Sequence, residues 1–266
     1  MSGAVEIDDR YLDVDFIKEP EYVYGDTGPN IFGSSMEYFE DGDDEIYTDA
    51  QVREACEQQE ANGSLEWFVR SVFNQKQEGS CVGNAATKLF ETMLNEHLGI
   101  EQGIDLSAIS LYKQIGRSAS SGASVSDAFE QLQTTGVLPL DTPKNREKYG
   151  DHVMPATGFS TRFPDGWKET AAKFRIAGGK AIRTLAGLKT VLAKGRGVVV
   201  GREGHSIFYV GIRWKNGRYV VPYLNSWGPW GQALGRMTAG FGWDTESQMK
   251  KSASWAFCID SAFLAD

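Results

Sequence analysis

The sequence contains little cysteine and little histidine, with three residues of each among 266. The cysteines are Cys56, Cys81 and Cys258, an odd number that is too small for a disulfide framework. A single disulfide bond between Cys56 and Cys258 remains an alternative. Cys258 lies in a strand-like stretch, where a small buried apolar side chain is expected. No CxxC pair or His/Cys cluster indicates zinc, so neither a metal nor another cofactor is expected. This pattern favours an intracellular protein.

Long apolar runs are also missing from the sequence. No run reaches about 18 apolar residues, and the first 30 residues lack the basic start and apolar stretch of a secretory signal. Hydrophobic residues nevertheless make up 41% of the chain, which is enough for a sizeable core. We therefore expect a soluble protein, cytoplasmic or associated with a virion, without a membrane partner and not secreted by a classical signal peptide.

Basic residues are scarce at the beginning of the chain. Residues 1–60 hold 18 of the 36 acidic residues and 3 of the 27 basic ones, a net charge of −15, whereas the body, 61–266, carries 24 basic against 18 acidic residues. Aromatic residues interleaved with the acids indicate that this leader lies on a surface. That surface is either the basic body, as for a propeptide, or a partner protein. A solvated tail is the plain alternative. No nucleic-acid partner is expected.

The body is organised around the stretch 74–81, Asn-Gln-Lys-Gln-Glu-Gly-Ser-Cys. From Cys81 onward, apolar residues recur at spacings of three and four, which predicts one stripe of an α-helix ending at Gly99. Gly79 and Ser80 stand where a turn and an N-cap are expected, so Cys81 falls in the first turn. Unpaired N–H groups and the helix dipole favour an anion there, and the sequence predicts a nucleophilic thiolate.

A reactive cysteine of this kind needs a histidine partner. His97 lies near the end of the same helix, about 24 Å from the thiol along the axis, which is too far. His152 stands in a polar stretch flanked by Pro and Gly, typical of a surface loop. His205 begins a β-rich run that a turn at 215–217 joins to a second strand ending before Asn225. Such a hairpin brings His205 and Asn225 side by side.

Capping residues ahead of periodic apolar stretches predict further helices. These helices lie near 49–62, 106–112, 125–136 and 185–194, with caps at Thr48, Ser107, Ser124 or Ser126, and Thr184. Residues 141–180 are rich in Pro, Gly and charge, and they predict loops. The chain after 198 is expected to be mainly strand and turn.

The arrangement of these residues resembles that of the papain-like cysteine peptidases. That family has a Gln six residues before the nucleophilic Cys, Gly-Ser immediately before it, a His in a strand, and then Asn-Ser-Trp-Gly. This chain has Gln75, Cys81, His205 and Asn225, followed by Ser-Trp-Gly, in the same order. The resemblance covers roughly 61–266. The combination of both motifs makes it specific, whereas either motif alone is weak.

The resemblance implies an α+β fold with two lobes and a cleft between them. A mainly helical lobe, 61–180, is expected to carry the nucleophile helix. A mainly β, barrel-like lobe, 181–266, is expected to carry His205 and Asn225. Residues 1–60 remain outside this catalytic domain as an acidic leader or docking arm.

The family also implies a mechanism, acyl transfer through a thioester on Cys81. His205 is expected to pair with the thiolate and to protonate the leaving amine, while Asn225 orients the imidazole. Gln75 and the backbone N–H of Cys81 are expected to form the oxyanion hole, and Trp227 to cover the His–Asn contact. Candidate substrate-binding residues beside the cleft are Ser121, Gly122, Gly204, Ser206 and Trp227.

The sequence departs from the family pattern at several positions. Val82 stands where the family usually has Trp, and Glu78 stands where many members have a disulfide-forming Cys. Only four residues separate the strand 198–200 from His205, fewer than in typical members. Gln77 is the alternative to Gln75, although the spacing favours Gln75. The shape of the cleft and the substrate specificity therefore stay open.

Three functions fit these observations. The first is an active peptidase acting on peptide or protein substrates. The second is a structural or docking component of a larger assembly, such as a phage particle, anchored through 1–60 and with or without peptidase activity. The third is another Cys-His hydrolase, such as a peptidoglycan amidase or a transglutaminase. The third is disfavoured because those enzymes lack the Asn-Ser-Trp-Gly element.

Overall fold

A computed structural model describes residues 7, 10, 12, 36–202 and 204–264, with the backbone alone at 254 and 261–264. Most of the predicted leader before residue 36, including many of its interleaved aromatic residues, lies outside the described residues. The described chain combines helices with one antiparallel sheet, so the expected α+β class is confirmed.

Capping side chains set where most of the helices begin. The four helices predicted beyond the nucleophile helix are confirmed, each with a predicted cap accepting a first-turn backbone N–H. None of the helices in the described residues has both the length and the apolar character needed to span a bilayer. The helices are α1 (Asp49–Asn62), α2 (Cys81–Leu98), α3 (Ala108–Ile115), α4 (Val125–Thr134), α5 (Pro143–Tyr149), α6 (Trp167–Ala171), α7 (Leu185–Ala193) and α8 (Glu246–Ser252).

The described strands belong to one sheet. They are β1 (Phe174–Ile182), β2 (Val198–Arg202), β3 (His205–Tyr209), β4 (Arg213–Lys215), β5 (Arg218–Leu224), β6 (Gln232–Leu234), β7 (Met237–Thr245) and β8 (Ala256–Leu264). Their order in the sheet is β1-β8-β2-β3-β5-β7-β6, with β4 also beside β5, and all paired strands are antiparallel. The path does not return to β1, so in the part of the chain that the structure describes the barrel-like lobe is an open sheet.

The hairpin predicted between His205 and Asn225 forms, but its first strand is interrupted. β3 ends at Tyr209 and β4 begins at Arg213, and both pair with β5. Asn216 and Gly217 turn the chain with φ angles of 50° and 78°, as a two-residue hairpin loop requires. The β3–β5 ladder, which ends at Leu224, is the part that carries Asn225 to His205.

The prediction of loops throughout 141–180 is wrong. Thr142 caps α5, with Pro143 at its first position, and both are helix-start signals that the composition concealed. β1 pairs along its length with β8, with an irregularity at Gly178 and Gly179. A Cβ at Gly179 would lie 2.6 Å from a ring carbon of Phe129, so glycine here permits close packing. The distant partner strand, and not local propensity, makes this segment a strand.

The sheet is covered by helices on both faces. One apolar core lies on the face occupied by α2, α3 and α4, and it includes Phe208 of β3. A second core lies on the opposite face with α1, α7 and α8, and it includes Ile207 of the same strand. The period of two in side-chain direction thus sends alternate residues of β3 to different cores. α2 therefore packs directly against the strand that begins with His205.

The described part of the acidic leader lies on the basic body. Tyr38 forms a parallel bridge with Ala181 at the edge of β1, and Phe39 is completely buried in the second core. The side chain of Glu40 accepts the backbone N–H of Thr184 at 2.8 Å. Ion pairs join this segment to the body, namely Asp41–Arg183, Asp44–Lys194, Asp44–Arg196, Asp49–Lys189 and Glu60–Lys215. A domain boundary at residue 60 stays a prediction.

Candidate active site

Cys81 is the first residue of α2, as the sequence predicts, and its side chain is completely buried. Ser80 occupies the N-cap position, but its hydroxyl caps no helix amide. Instead, Asn84 donates its side-chain N–H to Ser80 Oγ at 3.0 Å and to Ser80 O at 2.8 Å. The expected serine cap is therefore absent, and the Ser80 backbone, with a φ of −97° and a ψ of 16°, lacks the extended conformation that is typical of an N-cap.

Close packing fixes the helix that carries Cys81. Val82, at the position where the resembled family usually has Trp, is completely buried in the first core. A Cβ at Gly83 would lie 2.8 Å from Cβ of Tyr112, so the glycine lets α2 and α3 approach each other. Because α2 is buried along most of its length, the position of the thiol is set by the core.

His205 and Asn225 are hydrogen-bonded, with 2.9 Å between His205 Nε2 and Asn225 Oδ1. Asn225 Oδ1 also accepts the backbone N–H of Ser226 at 2.8 Å, which identifies that atom as the oxygen. His205 Nε2 must then be the protonated nitrogen, and in a neutral ring Nδ1 is the basic one. The orienting role of Asn225 stays a prediction, and this hydrogen bond is the contact that the role would use.

Burial controls the charge of the His205 imidazole. His205 is completely buried, and removal from water lowers its pKa to about 4. The hydrogen bond to Asn225 acts in the opposite direction, and the positive charge of Arg202 lowers the pKa further. The Trp227 ring stacks on the imidazole with 5.1 Å between centroids, as its predicted covering role requires. In the described state the ring is therefore neutral at physiological pH.

This burial predicts that the folded protein is sensitive to acid. Above about pH 6.5 both folded and unfolded His205 are neutral, whereas between pH 6.5 and pH 4 only the unfolded chain takes up the proton. The contribution of neutral His205 to the free energy of unfolding is thus complete above pH 6.5 and is lost as the pH falls towards 4. We expect a loss of about 2–3 kcal/mol at pH 4.5 from this group.

Urea unfolding at pH 7.5 and 4.5 checks this expectation, with His205→Gln as the matched variant. Other groups, such as Asp44, also titrate, so the measured quantity is the difference between the two proteins in their pH-dependent loss of stability. The wild type is expected to lose more than the variant. An equal loss in both proteins would contradict a neutral, buried His205.

Gln75 joins the loop before Cys81 to the segment that contains Asn225. Its side-chain Nε2 donates to Glu78 O at 2.8 Å, and its Oε1 accepts from Ser226 Oγ at 2.5 Å. The backbone N–H of Gln75 also donates to Ser226 O at 2.9 Å. Gln77, the alternative, is exposed. The structure therefore places Gln75, and not Gln77, at the junction between the two parts of the site.

The predicted substrate-binding residues fall into different environments. Ser121 is exposed, whereas the backbone N–H of Gly122 donates to the Tyr112 hydroxyl at 3.2 Å. Gly204 has a φ of 77° and precedes His205, and Ser206 is buried. A small pocket between α2 and the sheet is lined by Phe73, Asn84, Ala85, Lys88, Ser206, Phe208, Leu224, Asn225 and Ser226. Ser206 is thus buried in the lining of a pocket that also contains Asn225.

Comparison with solved structures identifies the architecture. Xylellain, a cysteine protease from Xylella fastidiosa, aligns with a TM-score of 0.54 at 19% identity over 72% of this chain and 82% of its own. ProCathepsin B S9 from Trypanosoma congolense aligns with a TM-score of 0.57 at 13% identity over 89% and 86%. Digestive procathepsin L 3 from larval midgut of Tenebrio molitor gives 0.55 at 17% identity over 74% and 67%. The chain has the papain-like fold.

No protein-family model and no curated protein matches the sequence. At these identities, the structural likeness shows the papain-like fold alone.

The remaining cysteines and histidines lie away from this arrangement. Cys56 and Cys258 are buried free thiols, so they do not form the bridge that the sequence left open. Burial raises the pKa of each to about 12. His97 is exposed near the end of α2, and His152 contacts Thr170 at 3.2 Å. No cluster of three potential metal ligands occurs among the described residues.

Two residues near the site were missed by the sequence analysis. Arg202 lies directly opposite His205 in the β2–β3 ladder and forms a buried ion pair with Asp244. The short separation between the strand 198–200 and His205 was the available signal, since it implies a tight hairpin. The Tyr112 hydroxyl donates to Ser118 O at 2.8 Å and so holds the loop that ends at Gly122. No local motif marks that contact.

Proposed function

We propose that the protein is a cysteine peptidase that hydrolyses peptide bonds through a thioester on Cys81. The observation that carries this proposal is the 2.9 Å hydrogen bond between His205 Nε2 and Asn225 Oδ1. Ser226 connects that pair to Gln75, in the loop that leads directly into Cys81 at the start of α2. Nucleophile, base, orienting group and oxyanion donor are thus supplied by a papain-like fold.

The first half of the reaction forms the acyl-enzyme. His205 Nδ1, the ring nitrogen that is not bonded to Asn225, takes the proton of the Cys81 thiol while the sulfur attacks the peptide carbonyl carbon. The carbonyl π electrons move to oxygen and give a tetrahedral oxyanion. The imidazolium then passes its proton from Nδ1 to the amine nitrogen, and the C–N bond breaks. Asn225 holds the ring orientation throughout, because its Oδ1 accepts from Nε2.

The second half of the reaction releases the carboxylic acid product. Neutral His205 removes a proton from water, and the resulting hydroxyl adds to the thioester carbonyl carbon. The tetrahedral intermediate then collapses, the C–S bond breaks, and the imidazolium returns its proton to the sulfur to restore the thiol. In both halves negative charge develops on the carbonyl oxygen. A primary amide has two N–H bonds, and Gln75 Nε2 uses one of them for Glu78 O. We assign the Gln75 side-chain amide, together with the backbone N–H of Cys81, as the donors to the oxyanion.

The site is closed in the described state. Cys81, His205 and Gln75 are completely buried, and Asn225 is 2% exposed. A dry site strengthens the electrostatic contacts that the mechanism uses, but a peptide substrate cannot reach the thiol until the covering groups move. Two structural neighbours are described as procathepsins. By analogy with these proforms, the closed site would belong to a latent enzyme. Removal of the leader before residue 36 tests this directly.

Labelling with an epoxide inhibitor of papain-like enzymes, followed by peptide mass mapping, tests the proposed function. The experiment uses the full chain and a chain that begins at residue 36. We expect modification at Cys81 alone, and more rapid modification of the shorter chain if the leader covers the site. Cys56 and Cys258 are internal controls, because burial raises their thiol pKa to about 12.

Cys81→Ala is the matched variant and is expected to remain unlabelled. If neither chain is modified at Cys81, the active-peptidase proposal fails. The alternative of a docking component, with or without activity, would then account better for the retained fold. Several acids in the leader segment from residue 36 are already paired with bases of the same chain. An anchor for a cytoplasmic or virion partner would therefore use residues before this segment.

A further inference from the structure

The Glu78 side chain joins two loops that are far apart in the sequence. Its Oε1 accepts the backbone N–H groups of Gly158 and Phe159, at 3.0 Å and 2.8 Å. Two consecutive amides that converge on one carboxylate oxygen form charge-assisted hydrogen bonds, which are stronger than neutral ones. The carboxylate thus ties the loop before Cys81 to the loop that contains Gly158.

The loop that receives Glu78 is itself held in place. Gly158 has a φ of 113°, a conformation that favours glycine, and its carbonyl accepts the N–H of Thr161 at 2.9 Å. The Phe159 ring meets Tyr112 edge to face, with 5.5 Å between centroids, and Lys113 donates to Phe159 O. The two amides therefore lie at fixed positions, and Glu78 is attached to a rigid support.

The backbone of Glu78 is attached directly to Gln75. The Glu78 carbonyl accepts from Gln75 Nε2 at 2.8 Å, and the Glu78 N–H donates to Gln75 O at 3.1 Å. The next residue, Gly79, donates its N–H to Ala119 O at 2.7 Å. A movement of the Glu78 backbone would consequently move the amide that we assign to the oxyanion.

We infer that Glu78 is a positioning residue, whose side chain anchors the loop and whose carbonyl orients Gln75 for the oxyanion. This inference rests on the proposed function. Glu78 stands where many papain-like peptidases have a disulfide-forming Cys, so here two charge-assisted hydrogen bonds provide the cross-link. The other carboxylate oxygen, Oε2, is buried and has no hydrogen-bond partner among the described residues. A neutral amide at this position can therefore preserve the tether through its single oxygen.

Two substitutions, each made in the full chain and in the chain that begins at residue 36, separate the tether from the charge. Glu78→Gln keeps an acceptor for the two amides, whereas Glu78→Ala removes it. We expect kcat of Glu78→Ala to fall by about 10-fold to 100-fold with KM within about threefold, because a small displacement of a transition-state donor affects kcat most. Glu78→Gln is expected to stay within about threefold of the wild type. Glu130→Ala, at an exposed position on α4, is the control and should change neither constant.

Hydrogen exchange provides a readout that does not require activity. The amides of Gly158 and Phe159 are expected to exchange faster in Glu78→Ala than in the wild type, with protection restored in Glu78→Gln. A wild type that has this exchange pattern but no peptidase activity, either as the full chain or as the chain that begins at residue 36, would reject the proposed function and the oxyanion role while keeping the tether. An active wild type whose kcat is unchanged by Glu78→Ala would overturn the inference. It is also overturned if Glu78→Gln loses as much kcat as Glu78→Ala.

Discussion

Replacement of Cys81 by alanine is expected to abolish peptide hydrolysis, with kcat at least about 10⁴-fold lower than in the wild type. The substitution removes the only atom that can form the thioester in the proposed mechanism. His205, Asn225 and Gln75 would still bind and polarise a peptide, but water would have to attack without covalent catalysis. Steady-state hydrolysis of a fluorogenic peptide, measured on the chain that begins at residue 36, gives the comparison.

Cys56→Ala and Cys258→Ala are the matched controls for this experiment. Both thiols are buried at positions away from the His205–Asn225 pair, so their loss should leave kcat within about twofold. Urea unfolding of Cys81→Ala separates loss of chemistry from loss of fold. If folded Cys81→Ala retained a tenth or more of the wild-type rate, another group would be the nucleophile and the proposed mechanism would be wrong.

Replacement of Phe39 by alanine is expected to lower the free energy of unfolding by about 3–5 kcal/mol. Phe39 belongs to the acidic leader in sequence, yet its ring is completely buried in the second core. Truncation removes that buried apolar surface and leaves a cavity beneath the segment that Tyr38 pins to the edge of β1. Urea unfolding monitored by tryptophan fluorescence measures the loss.

Tyr38→Ala is the control for the Phe39 variant, because Tyr38 is only partly buried. Its ring centroid lies 4.7 Å from Cζ of the Arg183 guanidinium. Its expected cost is below about 1.5 kcal/mol. A cost for Phe39→Ala no larger than for Tyr38→Ala would show that the leader is not part of the core. The expected result has a functional meaning, since a segment that completes the core cannot be removed during activation without loss of stability.

Local sequence patterns were sufficient to predict the parts of the site that depend on one helix or one hairpin. The apolar stripe after Cys81 predicted α2 and its end before Gly99, because helical periodicity is a property of the stretch itself. The Asn-Gly turn predicted the pairing that carries Asn225 to His205, since loop type sets the register of a hairpin. The order of the site residues along the chain, which resembles that of papain-like peptidases, also predicted the fold. The solved structures support that prediction.

Long-range contacts could not be predicted in this way. β1 depends on a partner more than 70 residues later in the chain, and a Gly-rich segment gives no local sign of that pairing. Ser80 stands in the favoured cap position, yet its backbone is not extended and its hydroxyl caps no helix amide. The tether from Glu78 depends on where Gly158 lies in three dimensions. The complete burial of His205 likewise reflects the packing of many segments.

The strand order has a consequence for synthesis on the ribosome. β8 lies between β1 and β2, and among the described strands it is the only one that pairs with β1. β1 therefore leaves the ribosome well before its partner, and a nascent chain that stops short of β8 lacks the strand that joins β1 to the rest of the sheet. Sheets completed by such distant segments form late and fold slowly. The strand that begins with His205 and the strand that ends just before Asn225 are consequently made before the sheet that contains them can be completed.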